Sequence, residues 1–143
     1  MKKAVFTITL ILVCVLPLLA NTPPVTDIEL LRHEARAKLA ISGSRWLELD
    51  TNGDGVIDHI MLLNRNGDKI YEEIDTNHSG KIDTLCYYHK GVLVREEIDT
   101  TGNGKIDLWV FIREGIYVEK YMRDTTGDGT IDKIKEFGPK KKR

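Results

Sequence analysis

The sequence is poor in cysteine, with two residues of this type among 143. Cys14 lies in an apolar amino-terminal run, so Cys86 is the single thiol of the remaining chain and has no internal disulfide partner there. No cysteine pair accompanies the four histidines at the spacing of a zinc site, which argues against zinc. We predict that Cys86 is a small buried strand residue rather than a reactive or intermolecular thiol.

Familiar catalytic motifs are also missing. The sequence contains no nucleophile elbow, no phosphate-binding glycine motif and no histidine spacing typical of a metal hydrolase. The best carboxylate pair for an enzyme is Glu72 with Glu96, which the pattern places on neighbouring strands. The other acidic residues are largely accounted for by repeated polar loops. We therefore predict that the protein is not an enzyme.

A strong charge of either sign is absent as well. The chain has 21 basic residues against 22 acidic ones, for a formal net charge of -1. Without residues 1–20, which hold two lysines and no acids, the formal charge is -3. Neither value gives the basic footprint of a nucleic-acid-binding protein or a strong acidic footprint for cationic partners. We expect no nucleic-acid partner.

The amino terminus has the pattern of a secretory signal peptide. Lys2 and Lys3 precede an apolar run from Ala4 to Leu19, which small Ala20 follows. We expect cleavage after Ala20 and an exported protein, in the periplasm, the envelope or the medium, with no membrane span afterwards. Two alternatives remain open. One is an uncleaved anchor, because about 17 apolar residues is the lower limit for a span, and the other is lipidation at Cys14.

One nine-residue pattern occurs in four copies. The copies run from Asp50 to Asp58, Asp75 to Asp83, Asp99 to Asp107 and Asp124 to Asp132, and their first aspartates lie 25, 24 and 25 residues apart. Such a period predicts a repeat architecture. Position 6 of every copy is glycine, the residue that most readily adopts a left-handed turn. Position 8 is always isoleucine, which we expect to tie each loop to a core: Ile57, Ile82, Ile106 and Ile131.

The oxygen-bearing residues of each copy fit a calcium site. Ca²⁺ takes six to eight oxygen ligands, and a tightly wrapped chain offers side chains from positions 1, 3, 5 and 9 and the backbone carbonyl of position 7. The predicted ligands are Asp50, Asn52, Asp54, Val56 and Asp58 in loop one, Asp75, Asn77, Ser79, Lys81 and Asp83 in loop two, Asp99, Thr101, Asn103, Lys105 and Asp107 in loop three, and Asp124, Thr126, Asp128, Thr130 and Asp132 in loop four.

The number of carboxylates differs between the loops. Loops one and four have three each and should bind Ca²⁺ more tightly than loops two and three, which have two each. For an exported module we expect dissociation constants on the order of 0.1 to 1 mM. The alternative is that some of these Asp, Asn and Gly clusters are turns without a metal.

The loop resembles the first nine positions of an EF-hand loop. Position 12, where an EF-hand has a bidentate glutamate, instead holds Met61, Cys86, Val110 and Lys135. The loop is therefore more similar to the calcium-binding hairpin loops of integrin alpha-subunit propellers than to dockerins, whose loops lead into helices. The whole unit resembles repeats of exported bacterial calcium-loop proteins, with a period similar to that of MORN-type repeats. The resemblance implies a calcium-stabilised scaffold and no defined activity.

The segments between the loops predict a mainly β fold, an elongated antiparallel β-hairpin meander with an N-terminal capping helix. Each loop leads into an apolar strand, a glycine turn follows at Gly67, Gly91 or Gly115, and a return strand reaches the next loop. Extra residues near Asn66 and Tyr117 predict bulges there. The predicted divisions are a signal peptide at 1–20, a spacer and amphipathic helix at 21–45, four calcium-loop hairpin repeats at 46–137 and a basic tail at 138–143.

The predicted helix opens with a capping box of Thr26 and Glu29 and ends at Gly43. Its apolar face is formed by four residues at helical spacing: Ile28, Leu31, Ala35 and Leu39. We expect this helix to be a lid over an edge or a face of the repeats, because a repeat array needs a cap. The alternative is a docking helix for a partner.

The outward strands are apolar on both faces, which predicts curling, cover by the helix or self-association. This leaves a second hypothesis for function. The protein would be an envelope or surface adhesion module that binds an envelope protein or polymer through an exposed aromatic strand face. The residues of that face are Tyr87, Tyr88, Trp109 and Phe111.

Overall fold

The computed structural model describes residues 26–138. They form one helix, α1 (Ile28–Leu39), and eight strands, β1 (Arg45–Leu49), β2 (His59–Leu63), β3 (Lys69–Ile74), β4 (Thr84–His89), β5 (Val92–Ile98), β6 (Leu108–Arg113), β7 (Tyr117–Arg123) and β8 (Lys133–Glu136). The strands make a single antiparallel sheet in chain order. This confirms the predicted hairpin meander. The predicted signal peptide and residues 139–143 of the predicted tail lie outside the described residues.

Side chains alternate between the two faces of the sheet, because successive residues of a strand point in opposite directions. One face, here named the covered face, carries a row of cross-strand neighbours: Ile60, Glu73, Leu85, Glu97, Trp109 and Met122. The opposite face, here named the open face, carries another row: Met61, Glu72, Cys86, Glu96, Val110 and Tyr121.

The helix α1 lies on the covered face and confirms the lid. Ile28 and Ala35 are buried in the same core cluster as Leu62, Leu85 and Trp109, and the other two residues of the predicted helix face are partly buried against it. Full burial of one large apolar side chain contributes about 1.5 to 3 kcal/mol to stability. The helix therefore supplies the second layer that this sheet needs on one side.

The ends of α1 differ from the prediction. Asp27, not Thr26, is the N-cap, and its carboxylate accepts a hydrogen bond from the backbone N–H of Leu30 at 2.9 Å. Thr26 does not cap the helix because its backbone pairs with loop three, where its carbonyl oxygen accepts from the N–H of Ile106 at 2.6 Å. The helix ends at Leu39, and Gly43 lies in the turn that leads to β1.

The predicted bulges are misplaced. The extra residues are accommodated in the turns between β2 and β3 and between β6 and β7. Register shifts occur instead in all three hairpins, at Leu62/Leu63, Tyr87/Tyr88 and Phe111/Ile112. In the second hairpin Tyr87 pairs with Arg95 and Tyr88 with Leu93. The β5 residue between Leu93 and Arg95 is therefore left without a partner on β4. The bulge is therefore a feature of every return strand, independent of turn length.

Residues 26–138 include no helix with the length and apolar character needed to cross a membrane.

Candidate metal sites

The four polar loops lie where the strands end, all at the same end of the strands, which is here called the loop edge of the sheet. They connect β1 to β2, β3 to β4, β5 to β6 and β7 to β8, while the glycine turns connect the strands at the opposite edge. Neighbouring loops are joined through the backbone, because the N–H of each later first aspartate donates to the carbonyl oxygen of the preceding ninth aspartate. These bonds are Asp75 to Asp58 at 2.8 Å, Asp99 to Asp83 at 2.8 Å and Asp124 to Asp107 at 3.0 Å.

The first aspartate organises each loop from inside. In loop one the carboxylate of Asp50 accepts hydrogen bonds from the N–H groups of Gly53 at 2.6 Å and Gly55 at 2.8 Å. The equivalent carboxylates of Asp75, Asp99 and Asp124 accept from the position-6 glycine at 2.6 to 2.7 Å. For Asp124, burial alone would raise the pKa, but these N–H donors outweigh it and lower the pKa below its ordinary value.

Two positions of each loop have left-handed backbone conformations. The glycine at position 6 has φ between 84° and 89° in all four loops, as predicted. Position 4 is also left-handed, with φ of 79° at Gly53, 55° at His78, 73° at Gly102 and 76° at Gly127. The sequence signal for this second position was a glycine in three of the four copies, which our prediction did not use.

Side-chain oxygens at positions 3 and 5 make short local turns. In loop one the amide oxygen of Asn52 accepts from the N–H of Asp54 at 2.9 Å, and a carboxylate oxygen of Asp54 accepts from the N–H of Val56 at 2.8 Å. The second bond recurs at position 5 of loops three and four. The Val56 N–H and the Asn52 amide hold the pKa of Asp54 below its ordinary value. The side-chain oxygens at positions 3 and 5 therefore act as hydrogen-bond acceptors within their own loop.

The ninth aspartate is bound by the threonine at position 2. In loop two the Thr76 hydroxyl donates to the Asp83 carboxylate at 2.9 Å and its N–H donates at 3.1 Å. The same pair of contacts joins Thr51 to Asp58, Thr100 to Asp107 and Thr125 to Asp132. Sequence reasoning missed this role, although threonine occupies position 2 in all four copies.

Basic side chains from the next unit approach two ninth aspartates. The Nδ1 atom of His78, in loop two, lies 3.2 Å from a carboxylate oxygen of Asp58 in loop one. Arg123 lies 3.6 Å from the Asp107 carboxylate and also donates to the Thr100 hydroxyl at 3.2 Å. The side chain of His78 is 44% exposed, and its contact with Asp58 connects loop two to loop one.

The donor chemistry fits a hard cation that takes oxygen ligands. Six first or ninth aspartates are nearly inaccessible to solvent, with relative exposures of 2 to 6%: Asp58, Asp75, Asp83, Asp99, Asp107 and Asp124. Buried carboxylates need hydrogen bonds or cations, and each of these has backbone or hydroxyl donors. Within residues 26–138 no three His, Cys, Asp or Glu side chains are grouped in a way that could hold a metal. A calcium shell here would thus depend on amide, hydroxyl and carbonyl oxygens as well.

All the predicted ligand residues lie on the four loops, and their role as ligands stays a prediction. The expectation that the isoleucine at position 8 packs against a core holds for three of the four loops. Ile82 and Ile106 are buried in the core and Ile131 packs against it, as predicted. Ile57 is 40% exposed and does not pack against the core cluster, so the expectation is wrong for loop one.

Two other predicted groupings are wrong. Glu72 and Glu96 are not on neighbouring strands, because β4 lies between them and Cys86 pairs with both. The four aromatic residues do not form one exposed face. Trp109 is buried under α1, Tyr87 and Phe111 pack against the same core, and Tyr88 lies on the open face with its hydroxyl bound to Glu72. The prediction failed because one helix covers the aromatic side of the sheet.

A comparison with protein-family models finds a match at the first two loops. Residues 47–59 and 72–84 match the family model described as EF hand. These segments contain loops one and two with their adjoining strand residues, so the match supports calcium binding at these EF-hand-like motifs. A search of the curated proteins finds no match.

Two solved structures are similar to this chain over part of their length. A crystal structure of TarM is 12% identical, with a TM-score of 0.36, and the aligned part covers 76% of this chain and 22% of that one. A mutant of S. aureus TarM, in complex with Fondaparinux, alpha-GlcNAc-glycerol and UDP, is 11% identical, with a TM-score of 0.38 and coverage of 78% and 22%.

Proposed function

We propose that the protein is an exported scaffold whose sheet is rigidified by Ca²⁺ bound in the loops along one edge. The observation that carries the proposal is the recurrence of one hydrogen-bonding scheme in four loops, with a first aspartate that accepts from the position-6 glycine and a ninth aspartate that accepts from the position-2 threonine. The EF-hand match at two of these loops supports the choice of calcium.

The proposed ligands in each loop are the side-chain oxygens at positions 1, 3, 5 and 9 and the carbonyl of position 7. Bound Ca²⁺ would neutralise the carboxylates that the fold has gathered at the sheet edge. The threonine at position 2 holds the ninth carboxylate in place, and the left-handed residues at positions 4 and 6 turn the backbone around the loop. The backbone bonds between successive loops would pass this rigidity along the edge.

A scaffold is favoured over catalysis and adhesion by where the chemical groups lie. The first and ninth aspartates accept hydrogen bonds within their loops, and Glu73 pairs with Arg36. The aromatic residues of the adhesion hypothesis are largely under α1 or bonded within the sheet. We therefore assign the protein no catalytic step and no aromatic binding face.

Export is the second part of the proposal and depends on residues 1–20. It is supported by the lysines, apolar run and small residue of the amino terminus. Millimolar affinities suit permanent occupancy outside the cell. N-terminal sequencing of protein recovered from envelope and medium fractions tests this part. A mature chain that begins at Asn21 supports export, whereas a chain that retains Met1 and stays in the cytosol contradicts it.

Thermal unfolding tests the calcium part. With dissociation constants on the order of 0.1 to 1 mM, addition of about 10 mM Ca²⁺ to chelated protein stabilises each occupied site by about 1.4 to 2.7 kcal/mol. The melting temperature should rise with Ca²⁺ and much less with the same concentration of Mg²⁺, which requires a smaller octahedral shell. An unchanged melting temperature in Ca²⁺ would refute the proposal.

A further inference from the structure

The residues immediately before α1 form a short strap across loop three. In this strap, residues 26–28, Asp27 forms an antiparallel bridge with Lys105. The N–H of Ile28 donates to the carbonyl oxygen of Gly104 at 3.1 Å, and the N–H of Ile106 donates to the carbonyl oxygen of Thr26 at 2.6 Å. Within residues 26–138 this is the one bridge outside the eight strands.

The strap acts on the part of loop three that would face an ion. Lys105 is at position 7, whose backbone carbonyl is a proposed ligand. The two strap bonds use the carbonyl before Lys105 and the N–H after it, so the groups of Lys105 itself point the other way. Its N–H donates to the Asn103 side chain at 2.8 Å, inside the loop. The strap thus fixes positions 6 to 8 in the conformation that turns the position-7 carbonyl into the loop.

The strap also begins the helix. Ile28 is the first residue of α1 and Asp27 is its N-cap. Ile28 of α1 and Ile106 of loop three are both buried in the core cluster that α1 covers, with exposures of 2% and 1%. The conformation of loop three and the docking of α1 therefore depend on the same backbone bonds and the same core cluster.

An ion can reach loop three while the helix is docked. A cleft of about 380 Å³ beside the strap is lined by Thr101, Asn103, Lys105 and Asp107 of loop three together with residues of loop four. A second cleft of about 310 Å³, on the side of loop two, is lined by Asp99 and by Ile28. The docked state is therefore open to ion binding.

We propose that loop three is a calcium-dependent latch for α1, in which ion binding and helix docking stabilise each other. This inference rests on the proposed calcium function and adds a regulated element to it. Loop three has two carboxylates, so its affinity depends more than that of loop one on a preformed carbonyl. Because coupling between two sites is reciprocal, calcium must tighten helix docking by the same factor by which the docked strap tightens calcium binding. Typical couplings are about 5- to 150-fold.

Hydrogen exchange of the α1 segment, measured by mass spectrometry with Ca²⁺ and with chelator, tests the latch in one direction. Calcium should slow α1 exchange about tenfold in the wild-type chain. The substitution Asp99→Asn in loop three should abolish this response, and the matched substitution Asp50→Asn in loop one should leave it intact. An equal response in both variants, or calcium binding without any change in α1 exchange, would overturn the latch alone.

Calcium affinity tests the other direction. Ile28→Pro removes the N–H that bonds to Gly104, and proline is well tolerated at the first position of a helix. The preceding Asp27 already has an extended backbone with ψ of 113°, as a residue before proline requires. Its control is Ile28→Ala, which removes the side chain but keeps the N–H.

Calorimetric titration of these two variants should show one class of site weakened about tenfold in Ile28→Pro relative to Ile28→Ala, with the other sites unchanged. Equal affinities in the two variants would contradict the latch. A wild-type titration without any binding heat would instead refute the calcium proposal itself, so the two failures are distinguishable.

Discussion

The Glu73 carboxylate on β3 forms two hydrogen bonds with the Arg36 guanidinium of α1, at 2.8 and 2.6 Å. Arg32, one turn earlier, donates to the same carboxylate at 2.9 Å. The Glu73 side chain is fully buried, whereas the side chains of Arg32 and Arg36 are 18% and 40% exposed. Burial lowers the pKa of Arg32, but the bonds and charge of Glu73 outweigh it and raise the pKa overall.

The first prediction follows from this ion pair. Glu73→Gln should destabilise the protein by about 3 kcal/mol, because it leaves two partly buried guanidinium groups without their counter-charge. Urea unfolding measures the loss. Glu34→Gln is the control, since Glu34 makes an exposed pair with Lys38 on the same helix and should change stability very little. Equal effects of the two substitutions would show that Glu73 does not anchor the helix.

The second prediction concerns threonine at position 2. Thr76→Val keeps the side-chain shape but removes the hydroxyl that donates to Asp83 at 2.9 Å. A hydrogen bond to a charged group contributes about 1.5 to 3 kcal/mol. Because Thr76 is exposed, we expect the free energy of unfolding of chelated protein to fall by about 1.5 kcal/mol, the lower end of this range. Thr130→Val is the matched control, because its hydroxyl makes no hydrogen bond within residues 26–138. If Thr76→Val unfolds at the same urea concentration as the wild-type protein, the proposed role of this threonine is contradicted.

The third prediction is a pH dependence with opposite signs at two equivalent residues. For Glu72, burial raises the pKa, but the hydrogen bonds from Lys69 and Tyr88 outweigh it and lower the pKa below 4.5. Its stabilising effect is therefore complete above pH 4.5 and is lost as the pH falls through the lowered pKa. For Glu96, burial raises the pKa above 4.5. Ionised Glu96 therefore destabilises the fold at neutral pH, and its protonation relieves this as the pH falls.

Glutamine variants separate these two effects. In chelated protein at pH 7, Glu72→Gln should lower the free energy of unfolding by about 1.5 to 3 kcal/mol, because the groups that donate to the Glu72 carboxylate lose their charged acceptor. Glu96→Gln should raise the free energy of unfolding by a smaller amount. Urea unfolding at pH 7 and near pH 3 should show both differences shrinking at the lower pH. A destabilised Glu96→Gln at pH 7 would contradict this assignment.

The fourth prediction is that Cys86 is unreactive in the native protein. Burial, with the charges of Glu96 and Glu72, raises the pKa of the thiol to about 12, and the residue is 3% exposed. Thiolate is the reactive form of cysteine. In a protein of residues 21–143, iodoacetamide at pH 8 should therefore label Cys86 only when urea unfolds the chain. Intact mass spectrometry detects the label. Rapid labelling of folded protein, at the rate of a free cysteine peptide, would show that the thiol is accessible.

The sequence predicted those features that arise from short segments. The spacing of aspartate and glycine located the loops, and the residues between them predicted the strands and their order. The apolar spacing from Ile28 to Leu39 likewise predicted the buried face of α1. Each of these patterns is local, because the period of a strand or a helix is set by backbone geometry alone.

Features that depend on distant residues were not predictable in the same way. The pairing of Glu73 with Arg36 joins residues 37 positions apart, and nothing near Glu73 in sequence distinguishes it from Glu72. Trp109 is buried in a core cluster with Ile28 and Ala35 of α1, whereas Ile57 is exposed, and neither outcome follows from its own segment of sequence. The strap displaced the predicted N-cap from Thr26 to Asp27 because a backbone bond to loop three took precedence over a local capping box. Such competition is resolved only by the tertiary structure.

The most direct test of the calcium scaffold is a calorimetric Ca²⁺ titration of chelator-stripped protein after residue 20, with circular dichroism and a melting curve before and after. We expect about two to four ions to bind with dissociation constants on the order of 0.1 to 1 mM. We also expect the melting temperature to rise as the sites fill. No binding heat together with an unaltered melting temperature would show that the four loops are turns without a metal, and would contradict the calcium scaffold.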